Sequence, residues 1–508
     1  MSKPNVLFIM TDQQRFDTIA ALGNGLIHTP NMDRLVARGV SFTNGYSTCP
    51  VCVPARYTVR SGREPLSTGI FTNGRRGWAA PDSAATMESR CGPFLARTMA
   101  GLGYRTFGIG KFHTDPWDQD VGFERQLHSE ELYGSPKQRA GDAYARFIRD
   151  EHPEYDWLEM LQGERTEMYY VPQMSPLPPE LTVEAWAAMR AVEELGRRDP
   201  RPYFGFVSFI GPHPPCAPPQ PFNRMYDPDR MPGPFRGRPE VDGADEQIVW
   251  MNRIIWAEDI NDPWARILRA RYYGEISYID ACLGRILDAV EARPDADDTV
   301  ICFFADHGDG LGDHRAWQKE SFFEQACHVP YLVSWPNRLP AGARRDEIVS
   351  LTDLFAIATG AAGQVETRDG IDVLGMLEGR AAPREHLFGC YGRPGTPLFK
   401  IMVRSGRWKY IFLANGGREQ LFDIEGDPRE LEELAAAQPK VAAELRAAAE
   451  GYLARAGGAE ALEGGRLRAF PYQERPIRRV LQFSSDRGVE GFPENPADVL
   501  RGTAWERK

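Results

Sequence analysis

The sequence has no excess of positive charge: 60 lysines and arginines stand against 71 aspartates and glutamates, a net −11. Nucleic acids and membrane surfaces select basic patches, so neither is expected as a partner. An anionic small molecule stays open if a few cations gather in one cleft. No apolar run is long enough to span a bilayer. The apolar stretch in "MSKPNVLFIMTDQQ" is too short for a secretory signal and reads as a buried first strand. Cysteine is sparse, with eight residues (49, 52, 91, 216, 282, 302, 327 and 390) scattered along 508. That scatter argues against a disulfide framework and for reduced thiols in a cytoplasmic protein. Cys282, Cys302 and Cys327 read as small core residues. The single C-x-x-C, Cys49 and Cys52 in "STCPVCVPARYTVRSG", has no second pair at zinc-site spacing and no thioredoxin-like context. A thiol phosphatase would need an arginine six residues after its cysteine. Those positions hold Ala55 and Thr58.

A chain this long suggests a large domain and a smaller one. Five short apolar runs, 5–10, 105–110, 203–210, 299–305 and 331–335, read as strands covered on both faces. Helices are expected between them, at 29–39 (Thr29 as cap, Pro30 in the first turn, Gly39 as stop) and at 275–293. Alternating strands and helices predict an α/β fold with a large, mainly parallel sheet sandwiched by helices. From about 384 the pattern changes to antiparallel strands in "LFKIMVRSGRWKYIFL" and "EQLFDI". An Ala-rich helix follows over "PRELEELAAAQPKVAAELRAAAEGYLARAG". The expected division is 1–383 for the catalytic α/β domain, 384–470 for a smaller α+β domain, and 471–508 for a tail suited to a homo-oligomer interface.

Ligands of open α/β sheets bind beyond the carboxyl ends of the strands. Four of the five runs are followed there by chemically able groups: Asp12 and Gln13, Lys111 and His113, His213, and Asp306 and His307. Each alone has a bland explanation as a cap or a structural histidine; four at one sheet edge do not. Asp12, Gln13, Asp306 and His307 offer three oxygen-type ligands and one imidazole, enough for one divalent cation. Calcium fits the oxygen-rich set best and manganese is the alternative. Arg56, Lys111 and Lys319 would balance an anion held there. Asp309, Asp313 and His314, in "DHGDGLGDH", are accounted for by a polar glycine-rich turn.

Pro54 and Ser61-Gly62 bracket a helix, with Cys52 at its start, where free N–H groups favour an anion, and Arg56 one turn on. "CVPAR" followed by "SGR" resembles the C-x-P-x-R core of the type I sulfatases of the alkaline phosphatase superfamily. The resemblance extends, in order, through "NVLFIMTDQQ", "HTPNMDRLVARGVSFTNGYS", "GYRTFGIGKFH", "GPHPP", "DHGDGLGDH", "WQKESFFEQACHVP" and "GRWKYIF" with "QLFDIEGDPRE". Val53 and Ser61 depart from the stricter signature. Gln13 stands where many arylsulfatases have a second aspartate, and His307 where they have asparagine.

The resemblance implies an alkaline phosphatase-like fold and hydrolysis of a small sulfate ester. It implies that a formylglycine-generating enzyme oxidises Cys52 to formylglycine, which supplies the nucleophile as a metal-bound diol. Residue 52, Asp12, Gln13, Asp306 and His307 would hold the cation. Asp306 would accept the diol's proton, and Arg56, Lys111 and Lys319 would stabilise charge on the transferring group. His213 would protonate the leaving alcohol and His113 would help expel sulfate. Cys49 is a bystander. Gln13 with His307 also resembles the phosphonate monoester hydrolases and phosphodiesterases on the same scaffold, the alternative activity, whereas "GKFH" follows the sulfatase pattern. A third reading, a binding protein on a retired hydrolase fold, would predict loss of Cys52, Arg56, Lys111 or Asp306, and all four are present. Specificity is expected in the insertion at about 120–200, with Tyr155, Trp157, Tyr169 and Tyr170, and near 225–265.

Overall fold

The computed structural model describes residues 3–74, 84–130, 136–156 and 169–476. Trp157 and the tail beyond 476 lie outside the described residues. The central sheet has eight strands in the order β4-β3-β5-β1-β6-β7-β2-β8. They are β1 (Asn5–Thr11), β2 (Val40–Tyr46), β3 (Arg105–Gly110), β4 (Arg125–His128), β5 (Tyr203–Ser208), β6 (Thr299–Ala305), β7 (Tyr331–Ser334) and β8 (Ala343–Ser350). Only β7 runs against its neighbours; the other pairings are parallel. The five apolar runs all form strands. The mixed sequences of β2, β4 and β8 did not announce themselves.

β1 lies fully buried because the sheet is covered on both sides. Its alternate residues feed two different cores. Val6, Phe8 and Met10 pack with Phe204, Phe304 and the helices at 52–61 and 353–361. Leu7 and Ile9 pack with Phe107, Val207, Phe303 and the long helix Asp262–Glu291. That helix starts thirteen residues before its expected position, because Asn261 caps it by accepting the N–H of Trp264.

The smaller sheet is antiparallel, in the order β12-β11-β10-β9, from β9 (His386–Tyr391), β10 (Lys400–Ser405), β11 (Trp408–Leu413) and β12 (Arg418–Asp423). A helix over Pro439–Arg455 packs Ala442, Leu445, Ala449 and Leu453 against it. The expected helix from 428 is corrected here: only its second half is helical. Pro439 has no N–H to offer an earlier turn and restrains Gln438, so it can only begin a helix. Glu430, upstream, takes a left-handed conformation, φ 54°, and turns its carboxylate inward to Lys409 and to the N–H of Glu324. Lys409 also meets Glu324 at 2.8 Å, so a buried ion cluster joins the smaller sheet to the short helix Glu324–Cys327 that precedes β7.

Parallel pairing places the site. Thr11 registers with Ala305, so Asp12 and Asp306 leave adjacent strands side by side. Gly110 registers with Ser208, which brings the Lys111 end to the same edge. Gly110 has φ +98°, and a Cβ there would lie 2.0 Å from the Ser208 carbonyl oxygen. Gly110→Ala is therefore expected to cost roughly 3 kcal/mol or more in urea unfolding, by overpacking against backbone in a left-handed conformation. Gly25→Ala, where a Cβ meets nothing within 4 Å, should stay within about 0.5 kcal/mol of the parent.

Candidate active site

Asp12, Cys52, Asp306 and His307 form one buried cluster whose donor atoms all lie within 4.8 Å of one another. The two carboxylates come from the ends of β1 and β6, and the imidazole follows directly. The sulfur comes from the first residue of the helix Cys52–Ser61, ended by Gly62 in a left-handed conformation. Arg56, one turn along that helix, reaches back between the carboxylates. Its Nη2 donates to Asp12 Oδ2 at 2.7 Å and its Nε to Asp306 Oδ2 at 3.1 Å. Its Nη1 donates to the Lys111 carbonyl and the Ser208 hydroxyl. Lys111 Nζ lies 2.7 Å from Asp12 Oδ2.

The sulfur of Cys52 is met by basic groups. Lys319 Nζ is 3.1 Å away and His307 Nε2 3.2 Å, and the His113 side chain hydrogen-bonds it. Burial pushes the thiol pKa up, but Lys319, Lys111 and His307 outweigh it and hold the group well below the ordinary thiol value. Burial and the Cys52 sulfur likewise oppose ionisation of Asp12, and Lys111 and Arg56 overcome them, so it stays below the usual carboxylate range. Asp306 is raised to about 6 by burial and by the neighbouring Asp12 charge. Burial opposes protonation of His307, yet Asp306 and the Cys52 sulfur raise its pKa. By contrast Cys49 is raised by burial, and the thiols are all free.

Two buried carboxylates, an imidazole and a sulfur crowded together are a donor set that a hard divalent cation would relieve. His307 is suited to be a ligand, because its Nδ1 lies 3.0 Å from the Gly308 carbonyl, which fixes Nε2 as the lone-pair nitrogen facing the cluster. Gln13, at φ 67°, anchors its N–H on Asp306 Oδ1 at 3.0 Å. Its side-chain Oε1 accepts from Lys319 Nζ at 2.7 Å. His213 is buried beside Tyr169 (ring centroids 5.4 Å), with Nδ1 2.7 Å from the Pro214 carbonyl. All ten residues singled out in the sequence thus lie on the strand-end loops or the Cys52 helix.

Four supporting residues were not singled out for this site. Asp309 carries no charge to the surface; it is buried and accepts from Gln13, Tyr170, Leu311 and Gln318. Asp313 is gripped by Arg15 and Arg269, and His314 by Asp242. The glycine-rich turn is therefore a buried polar scaffold, and three acidic residues within eight positions were its available signal. Glu130, just past β4, accepts the backbone N–H groups of Phe112 and His113 at 3.1 and 2.6 Å. It pairs with His128 at 2.7 Å. Burial works against its charge, but His128 draws its pKa down to about 2. No sequence spacing announces such a contact.

A family model described as Sulfatase matches residues 4–364. Among curated relatives, an arylsulfatase of Clostridium perfringens is 27% identical over 85% of this chain and 90% of its own length. A choline-sulfatase of Rhizobium meliloti is 29% identical over 85% and 82%. Among solved structures, the phosphonate monoester hydrolase of Agrobacterium radiobacter superposes with a TM-score of 0.74 at 26% identity, covering 89% of this chain and 96% of its own. The family match spans the strands that carry Asp12, Lys111, His213 and Asp306 together with the Cys52 helix, and the chain belongs to the sulfatase family.

Proposed function

We propose that the protein is a sulfuric ester hydrolase acting on small sulfate esters through a formylglycine made from Cys52, with one divalent cation, calcium ahead of manganese. The observation that carries the reading is the Cys52 sulfur, buried among Lys319, His307, His113 and Asp12 at the start of a helix. Asp12, Gln13, Asp306, His307 and residue 52 would hold the cation. When present, the cation supplies Lewis acidity, and the hydrated aldehyde supplies two hydroxyls on one carbon. Maturation would need a formylglycine-generating enzyme, and the free thiols support a reducing compartment. We take 1–383 as the catalytic unit and 384–470 as the smaller one, since the second sheet opens at His386. No helix among the described residues is long and apolar enough to cross a membrane.

The chain's own groups divide the work. Lys319 and Lys111 hold the sulfate oxygens and stabilise the charge that grows on them, already oriented by Gln13 and Asp12. Arg56 keeps both carboxylates ionised and in place. Asp306 takes the proton from the attacking hydroxyl. His213, with Nδ1 turned to the Pro214 carbonyl, delivers a proton from Nε2 to the leaving alcohol oxygen. His113, beside residue 52, removes the proton whose loss expels sulfate. The phosphonate monoester hydrolase reading is supported by the solved structure at TM-score 0.74.

On one preparation, kcat/KM for an aryl sulfate should exceed that for an aryl phosphonate; the reverse order would make the alternative the main activity. Cys52→Ser should stall after one turnover, and mass spectrometry of the Cys52 peptide should find the aldehyde; unmodified thiol in active native protein would remove the proposed nucleophile. Lys319→Ala should lower kcat/KM by roughly 10²–10³. His213→Asn should cost roughly 10²–10⁴ on alkyl sulfates but far less on 4-nitrophenyl sulfate, whose leaving group needs no proton. Equal losses on both would assign His213 to binding instead.

A further inference from the structure

Gln13 would be the one amide ligand in the proposed set, and an amide can present either end. Its backbone is fixed: the N–H goes to Asp306, and the carbonyl accepts from the Tyr272 hydroxyl at 2.7 Å. What remains free is the rotation of the side-chain amide. Two neighbours decide it. On one side is the Asp309 carboxylate, which as an anion can only accept; on the other is the Lys319 ammonium, which can only donate. The NH₂ group must therefore face Asp309, with Nε2 2.6 Å from Oδ2, and the oxygen must face Lys319 and the cluster.

Asp309 is itself immovable. It is fully buried, its Oδ2 also accepts from the Tyr170 hydroxyl at 2.7 Å, and its Oδ1 accepts the N–H groups of Leu311 at 2.8 Å and Gln318 at 3.2 Å. Gln318 directly precedes Lys319, so one carboxylate braces both the amide and the segment carrying the lysine. A carboxylate at position 13 would turn one oxygen to Lys319 and bring the other against the buried Asp309 carboxylate, a like-charge contact in place of the 2.6 Å hydrogen bond.

We propose that Asp309 is the positioning residue that turns the Gln13 oxygen into the metal cluster and makes position 13 an obligatory neutral ligand. The proposal rests on the reading of Gln13 as a ligand of the cation. Loss of the charge lets the amide turn, presenting NH₂ to the cation in part of the population. The effect belongs to metal affinity first and to turnover only through it.

The test measures calcium retained by the purified full-length protein during dialysis against graded chelator, with manganese in parallel. Asp309→Asn should weaken retention by roughly 10–100-fold, the range for outer-shell partners of metal ligands, and Gln13→Ala should weaken it at least as much. Gln13→Glu should also weaken it, although a carboxylate is by itself the better ligand for calcium. The double variant Gln13→Glu with Asp309→Asn should hold calcium more tightly than Gln13→Glu alone, because the amide introduced at position 309 can donate to the new carboxylate. A merely structural Asp309 would not produce that rescue. If Gln13→Ala weakens retention while Asp309→Asn leaves it unchanged, or if Gln13→Glu tightens it, the proposal is overturned and the ligand reading stands. If Gln13→Ala retains calcium like the parent protein, the ligand reading itself fails and the proposal with it. Gln13→Glu keeps Asp309 intact, so it decides the matter even where Asp309→Asn does not fold.

Discussion

One buried guanidinium makes the site possible. Parallel pairing of β1 with β6 forces Asp12 and Asp306 to emerge together, both fully buried, and two adjacent carboxylates there repel each other. Arg56 lies between them and bonds to both, at 2.7 and 3.1 Å. Removing one partner of such a buried pair costs on the order of 3–5 kcal/mol, because the charge left behind has no solvent. Arg56 sits one helical turn from Cys52, so the residue that braces the carboxylates also sets where the sulfur lies. Sheet, helix and sulfur are thereby locked in one geometry.

The site is held at a conformational cost. Gln13 and His113 adopt φ of 67° and 49°, and Gln318 and Glu320, on either side of Lys319, adopt 76° and 71°. None is glycine, and such left-handed residues persist only where surroundings over-determine them. The determinants are hydrogen bonds: Asp306 on the Gln13 N–H, Glu130 on the His113 N–H, Asp309 with Tyr170 on the Gln318 N–H, and the Pro50 carbonyl on the Glu320 N–H. The two apolar layers around β1 supply the stability against which this strain is borne.

Much of this was legible in the sequence, for definite reasons. β1, β3, β5, β6 and β7 are covered on both faces, so their apolar runs are continuous. The groups that follow four of them are ionisable residues where a chain turning at a sheet edge has no need of them. β4 and β8 escaped notice because they are the partly exposed edge strands, and β2 because partial exposure at Thr43 and Asn44 leaves its sequence mixed. β2 reads "VSFTNGY" and β8 "ARRDEIVS". Asp309 and Glu130 escaped for another reason. Their work is defined by partners far away in sequence, such as Gln13 and Tyr170 for Asp309, and no periodicity records a long-range contact. The same holds for Lys409, a charged residue near the start of β11, whose burial makes sense only beside Glu324 and Glu430.

The registry of β1 with β6 has a consequence for how the protein comes into being. Residues 12 and 306 become neighbours only after nearly three hundred residues have been made, and Lys319 follows later still. Through most of synthesis the first strand exists with one long edge unpaired, although Arg56 and Lys111, the counter-charges of Asp12, are made early. Contacts of such separation form slowly, since the loop between them must close before they give anything back. The cluster is thus completed only once β6 has been made, with β7 and β8 still to follow, and chemistry becomes available only to a chain in which residues 12 and 306 have already found each other.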